Sequence, residues 1–441
     1  ISDKSRFVYD GLRVQRLDQP YVRKRNKLQP ASWQEAFSAI AARVNKSAPE
    51  KIAAIAGDLA TAEEMFAFKD LMGRLGVTSI DCRQDGAALD PANGRASYLF
   101  NATIEGIEEA DALLLIGTNP RWEASVLNAR IRTRWRRGGF PVGVIGGIDG
   151  AGADLTYDYE YLGAGADTLA DLAAGNGSFA KLLKEAEKPL IIVGQGALAR
   201  SDGAAILGLA AKAAKQFGAL SEGWNGFSVL HTAASRVAGL DLGLVPGEGG
   251  RDTAAILEGA AKGDIDIVFL LGADEIPADK LGEAFIVYQG THGDRGAHRA
   301  DVILPGAAYT EKSGTYVNTE GRVQLATRAV FPPGDAREDW AILRALSDVL
   351  GQRLPYDNLP ALRAAMYEAH PHLAEIDAII AGDPADIERL AEAGDRTGKS
   401  AFASPIADFY LTNPIARASA VMAQLSALAQ GRSTKVTGTD G

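Results

Sequence analysis

One cysteine, Cys82, stands in 441 residues, and that scarcity closes off several chemistries. A single thiol forms no internal disulfide, holds no Cys₄ iron–sulfur cluster and builds no structural zinc site. Long apolar runs are missing as well. The best of them, residues 112–117 and 265–271, fall far short of the roughly 18–20 residues needed to span a bilayer, so no direct membrane insertion is expected. Positive charge is in deficit, with 46 Lys and Arg against 56 Asp and Glu, and no aromatic-studded basic stripe marks a nucleic-acid surface. A charged fraction of 23% is that of a folded chain and excludes extended disorder and coiled coil. The length suits roughly two to four domains or one large α/β assembly.

The positive charge that exists is concentrated. Residues 1–46 carry ten Lys and Arg against four acids, a net of +6, which leaves −16 for the remaining 395 residues. This stretch reads as a basic connecting arm, either solvated or docked on an acidic protein surface. The chain opens on Ile1, and residues 1–20 contain no apolar targeting core, so a longer polypeptide is the expectation.

Through the middle of the chain a short apolar run, a Gly or Asp turn and a helically spaced segment recur. Residues 51–56 are followed by Gly57 and Asp58, then by Met65, Phe68, Leu71, Met72 and Leu75 on one helical face behind a Thr61/Glu64 capping box. Residues 112–116, 141–145, 189–193, 265–271, 285–288 and 301–304 supply further runs. Apolar runs separated by helices mean parallel strands with crossovers. The fold class expected is therefore α/β, with two doubly wound, mostly parallel-sheet lobes and a helical C-terminal tail. The boundaries expected are an arm at 1–46, a first lobe at 47–177, a second lobe at 178–330 and a helical region with a frayed tail at 331–441. The Gly-rich stretch 146–177 is the expected seam.

Ligands of open α/β sheets sit beyond the carboxyl ends of the strands. Gly194, Gly196 and Ala199 match G-x-G-x-x-A behind such a strand, but the acid expected about 20 residues on could only be Glu222, in a Gly-containing loop, so a plain tight turn is the better reading. His292, His298, Asp294 and Asp301 crowd one Gly-rich loop without the rigid i, i+4 spacing of a zinc site. His370 and His372 sit in a polar turn. Cys82 reads as inert packing, and neither G-x-S-x-G nor a Walker lysine loop occurs. The segment ADVILPGAAYTEKSGTYVNTEGRVQ at 300–324 concentrates far more polar recognition capacity than a connector requires. It is the binding-site candidate, with Thr118, Asn119 and Arg121 from the other half facing it.

These residues resemble the molybdopterin oxidoreductase superfamily. The carriers are the G-x-N-P loop at Gly117 and Pro120, the ADVILP strand at 300–305, and an E-x-x-G-T-x-x-N-x-E-G-R run on Glu311, Gly314, Thr315, Asn318, Glu320, Gly321 and Arg322. With ISDKSRFVYDGL at 1–12, LIGTNPRWEA at 115–124, YQGTHGD at 288–294 and DFYLTNPIARAS at 408–419, the chain is similar to the large iron–sulfur subunits of respiratory complex I, up to about residue 429.

That resemblance implies a structural, non-catalytic part of the peripheral arm, supporting electron transfer from NADH to quinone. The 2Fe–2S and 4Fe–4S clusters would belong to an N-terminal region of the full-length subunit, and this chain would hold no cofactor, no metal and no catalytic residue. Some bacterial relatives bind a further 4Fe–4S cluster through four cysteines that are missing here. Thr118, Asn119, Arg121, His292, Glu311, Asn318, Glu320 and Arg322 become candidates for a vestigial pocket, in which Arg121 and Trp122 fill space a pterin nucleotide would require. Partners would be other peripheral-arm subunits and the cluster-binding region, which the basic arm would touch. The location would be the cytoplasmic face of a bacterial inner membrane or the mitochondrial matrix side. The alternative is a molybdopterin-dependent oxidoreductase of the formate dehydrogenase kind.

Overall fold

The computed structural model describes residues 1–148, 152–392 and 396–431. In chain order its strands are β1 (Tyr21–Lys24), β2 (Lys27–Pro30), β3 (Ile52–Ala56), β4 (Ser79–Asp81), β5 (Ala112–Ile116), β6 (Val142–Ile145), β7 (Glu160–Gly163) and β8 (Pro189–Val193). There follow β9 (Leu220–Ser221), β10 (Trp224–Asn225), β11 (Phe227–Val229), β12 (Ile267–Leu271), β13 (Phe285–Gly290), β14 (Val302–Pro305), β15 (Gly314–Val317) and β16 (Val323–Ala326). Seven of them form one sheet in the order β2-β1-β14-β13-β12-β3-β4, and five form a second in the order β11-β8-β5-β6-β7. Apart from the β1–β2 edge hairpin and its antiparallel seam with β14, the pairings in both sheets are parallel. The α/β class is thus as expected, and the reason is visible in the strands: β3, β5, β8 and β12 are buried at every position, as strands covered on both faces must be.

The lobes are not consecutive, which corrects the expected boundaries. The second sheet is built wholly from residues 112–229, inserted between β4 and β12 of the first. The expected seam at 146–177 contains β7, which pairs with β6 inside the second sheet, so no boundary between sheets falls there. Local periodicity says which residues are strand but carries no information on which sheet they join.

Residues 1–46 are not a free arm. β1 pairs antiparallel with β14, Arg23 donates from Nε to the carbonyl of Ala300 at 2.9 Å and from Nη2 to that of His298 at 2.8 Å, and Lys24 pairs with Glu35. The hairpin turn places Arg25 and Asn26 at φ +50° and +62°, the left-handed geometry of a two-residue hairpin. The helix Trp33–Val44 then buries Phe37, Ile40, Ala41 and Val44 in the core.

The expected capping box is present: Thr61 starts the helix Ala62–Arg74, with Thr61 N donating to Glu64 at 3.0 Å. The expected helical C-terminal region contains helices over Asp339–Val349, Leu359–Ala369 and Pro384–Glu392, and a final pair, Pro414–Ala418 and Ala420–Ala429, divided at Ser419. The frayed tail expected at the end falls largely at 432–441, outside the described residues. No helix among the described residues is long and apolar enough to cross a membrane.

Candidate functional site

The loops beyond the carboxyl ends of the strands gather the candidate polar side chains, and most of these are bound to other parts of the chain. Beyond β5, Gly117 turns at φ +59°, which presents Thr118 and Asn119 to the carboxylate of Glu123. Thr118 Oγ1 donates to Glu123 Oε2 at 2.6 Å and the Asn119 backbone N–H to Oε1 at 2.7 Å. Burial pushes the Glu123 carboxyl up to about 7, against the pull of those two donors. Arg121 reaches sideways to Asp154, as an ion pair and through a 2.7 Å bond to its carbonyl.

The glycine turn after β8 is closed from outside. Gly194 packs on Thr118, and Gly196 lies against the carbonyl of Ala403. Gly147 donates to Phe402 O at 2.8 Å, and Arg200 Nη1 donates to the carbonyls of Ser400 and Ala401, each at 3.0 Å. Residues 400–403 therefore cover the position a pyrophosphate takes at such turns.

On the other sheet, Glu311 is held by Arg16 through Nη1 at 2.5 Å and Nη2 at 2.6 Å, and it also accepts from Ala308 N at 2.9 Å. His292 is fully buried, with Nε2 at 2.8 Å from the carbonyl of Gly11 and Nδ1 at 2.8 Å from the Thr291 hydroxyl. Nε2 must carry the proton to reach a carbonyl, so Nδ1 accepts, and burial lowers the pKa of the ring. The loop acids part company: Asp294 binds Arg417, while Asp301 accepts from Ile286 N at 2.9 Å. Among the described residues no three His, Cys, Asp or Glu side chains converge as a metal ion requires.

Asn318, Glu320 and Arg322 form a third group at the β15–β16 turn. Asn318 Oδ1 accepts from the backbone of Glu320 at 3.1 Å and of Arg322 at 2.9 Å, Glu320 Oε2 accepts from Ile104 N at 2.8 Å, and Arg322 donates to Asp377 O at 2.6 Å. This turn fastens the inserted lobe to the C-terminal region.

Beside these, Lys312 is buried between Glu64 at 2.6 Å and Asp339 at 3.1 Å. Arg417 donates to both Glu275 oxygens, at 2.9 and 2.8 Å. Lys312 and Glu64 lie in segments that stand out in the sequence for other reasons, and Arg417 falls within the DFYLTNPIARAS run; Arg16 and Asp339 carry no motif that would find them. Cys82 is 1% exposed and its thiol is pushed up to about 12 by burial, so at neutral pH it is a protonated packing group.

The expected pocket thus resolves into three groups that do not share a cavity. Of the eight candidates only Asn119 and Arg121 line a sizeable one, of about 840 Å³, with Asp154, Asp408 and Tyr410 among its walls. A second, of about 480 Å³, is lined by Lys4, Leu59, Glu123, Leu230, His231 and Ile415 among others. Trp122 does not fill the pocket as expected; it is 42% exposed and, with Ser125 and Phe409, borders both cavities.

Residues 16–349 match the family profile described as Molybdopterin oxidoreductase, and residues 375–425 that of the C-terminal part of the NADH-ubiquinone oxidoreductase G subunit. The NADH-quinone oxidoreductase G subunit of Rickettsia bellii is 45% identical over 425 residues, covering 96% of this chain and 59% of that protein. NADH dehydrogenase (ubiquinone) iron–sulfur protein 1, mitochondrial, of Solanum tuberosum is 43% identical over 433 residues, covering 97% of this chain and 56% of that protein. The chain therefore spans somewhat more than half the length of these relatives. Among solved structures, acetylene hydratase from Pelobacter acetylenicus superposes with a TM-score of 0.59 at 13% identity, over 82% of this chain and 65% of that one. The formyltransferase/hydrolase complex FhcABCD from Methylorubrum extorquens gives 0.56 at 19% identity, over 76% of this chain and 99% of that one. At such identities these two establish the fold alone. The chain belongs to the molybdopterin oxidoreductase family, and the relatives it matches along nearly its whole length include G subunits of NADH-quinone oxidoreductase and a mitochondrial iron–sulfur protein 1.

Proposed function

We propose that the chain is a structural, non-catalytic part of the peripheral arm of a NADH-quinone oxidoreductase. It would support electron transfer through 2Fe–2S and 4Fe–4S clusters carried elsewhere in the full-length subunit. Its partners would be that cluster-binding region and neighbouring peripheral-arm subunits, at the cytoplasmic face of a bacterial inner membrane or on the mitochondrial matrix side. The observation that carries this reading is that the family's polar loop residues are engaged as internal struts. Glu311, His292, Glu320 and Arg322 each bind another part of this chain, and Asn318 closes the turn that carries the last two.

The family implies a pterin-bound molybdenum, and the residues present do not fit one. The single thiol is protonated and packed against Gly239, where an added methyl would fall 2.8 Å from its Sγ. The glycine turn is covered by residues 400–403, with Ala403 O against Gly196. The buried carboxylates Glu64 and Asp339 are occupied by Lys312.

Elemental mass spectrometry on the purified chain and on its native assembly tests the reading. Iron only in the assembly and no molybdenum in either is expected; molybdenum near one per chain overturns it. A second test concerns the N-terminal hairpin. Arg23 is part of the fold, so the exposed Arg25 and Lys27 are the residues to reverse. Arg25→Glu with Lys27→Glu should weaken co-purification with peripheral-arm subunits while leaving the chain folded.

A further inference from the structure

The 480 Å³ cavity contains a polar arrangement that the scaffold role does not use. Lys4, on the short helix Asp3–Phe7, is half-buried at its wall. Its ammonium has one hydrogen bond, to Thr412 Oγ1 at 2.6 Å, and stands 5.0 Å from the centre of the Phe409 ring. No carboxylate among the described residues lies within ion-pair distance of it, unlike Lys312 and Arg16, each of which meets at least one. A partly desolvated cation that no carboxylate among the described residues meets is costly unless an anion binds it.

His231 lines the same space. Its Nε2 is 2.6 Å from the carbonyl of Tyr98 and so carries the proton, which leaves Nδ1 as an acceptor; that atom is buried and has no partner. Between them the walls are largely apolar, with Val8, Leu59, Ile104, Leu127, Leu230 and Ile415. A concave apolar space with a few unmatched polar groups at its ends is the usual form of a small-molecule site.

We propose that this cavity binds a small amphipathic carboxylate, its apolar body against Leu59, Leu230 and Ile415 and its carboxylate on the ammonium of Lys4. Burial lowers Lys4 to about 8, a shift that Asp408 partly opposes, and a bound carboxylate would reverse it. The site does not depend on the scaffold reading, since its walls all belong to this chain.

The test is calorimetric titration of the 441-residue chain with decanoate below its micelle-forming concentration, beside decan-1-ol, which has the same body without the charge. Saturable binding at one site is expected, weakened at least about tenfold in Lys4→Met and retained in Lys4→Arg, with decan-1-ol binding both the parent and Lys4→Met weakly. Ser125→Phe, which keeps Lys4 and fills the space, should abolish it. Circular dichroism confirms that each variant is folded. No saturable heat with decanoate, equal affinity in Lys4→Met, or unaltered binding in folded Ser125→Phe overturns the proposal.

Discussion

Arg16 and Glu311 meet in a bidentate pair at 2.5 and 2.6 Å with both side chains less than a tenth exposed, joining the N-terminal segment to the loop beyond β14. Removing one member leaves the other charged and buried. Arg16→Met should therefore cost about 3–5 kcal/mol, whereas Arg16→Met with Glu311→Leu should recover much of that loss. Urea midpoints of the single and double variants read the difference, and equal losses would show that the pair does not act as a unit.

Asp274 should make stability fall as pH rises. Its carboxyl accepts from the Tyr288 hydroxyl at 2.9 Å, and burial, with Asp294 and Glu275 adding to it and Arg417 opposing, lifts it from 3.8 to about 7. The folded state thus holds this proton more tightly than the unfolded one. The contribution is fully present below the unfolded value and is lost as pH climbs from about 4 to about 7. Asp274→Asn, which still accepts from Tyr288, should gain in melting temperature over the parent across that window. Parallel melting curves for the two proteins would refute it.

Cys82 should be silent towards thiol reagents in the native chain. With Sγ buried and protonated, Ellman's reagent should release no colour over hours in buffer and one equivalent per chain in concentrated urea. Rapid native labelling would mean that the strand β4 edge opens.

Gly117→Ala should destabilise by at least about 2 kcal/mol, because the residue is left-handed at φ +59° and a side-chain carbon there would fall 2.5 Å from Ala197. Gly138→Ala is a control. It is left-handed too, at φ +80°, but meets nothing within 4 Å, so its loss should be the smaller. Thermal melts of the two variants separate steric closure from backbone strain.

What the sequence made legible follows the range of each signal. β3, β5, β8 and β12 are read from runs of buried residues, and the helix after Thr61 from its cap and apolar face, because those signals are local. β1, β2 and β7 were hidden: at or near the sheet edges they carry half-exposed, charged or Gly-containing sequences, and only pairing with neighbouring strands such as β14 and β6 makes them strands. In the site, Glu311 and Asn318 were legible as unusual, but their roles depend on Arg16, nearly 300 residues away, and on a turn that folds back on itself. No motif assigns a binding role to Lys4 or His231, since what marks them is a missing partner, which only three-dimensional packing reveals.

The interleaving of the sheets has a consequence for how the molecule is made. A ribosome releases β5 to β11 as one stretch, so the inserted sheet has all its strands before β12 exists, while β3, paired early with β4 alone, must wait for β12 on its other side, emitted much later. Closing that long excursion costs little extra chain entropy but delays the rewarding contacts. The inserted lobe should therefore acquire protease resistance on nascent chains first, and the outer sheet should appear only after β14 leaves the exit tunnel, making it the slow and aggregation-prone stage of biogenesis.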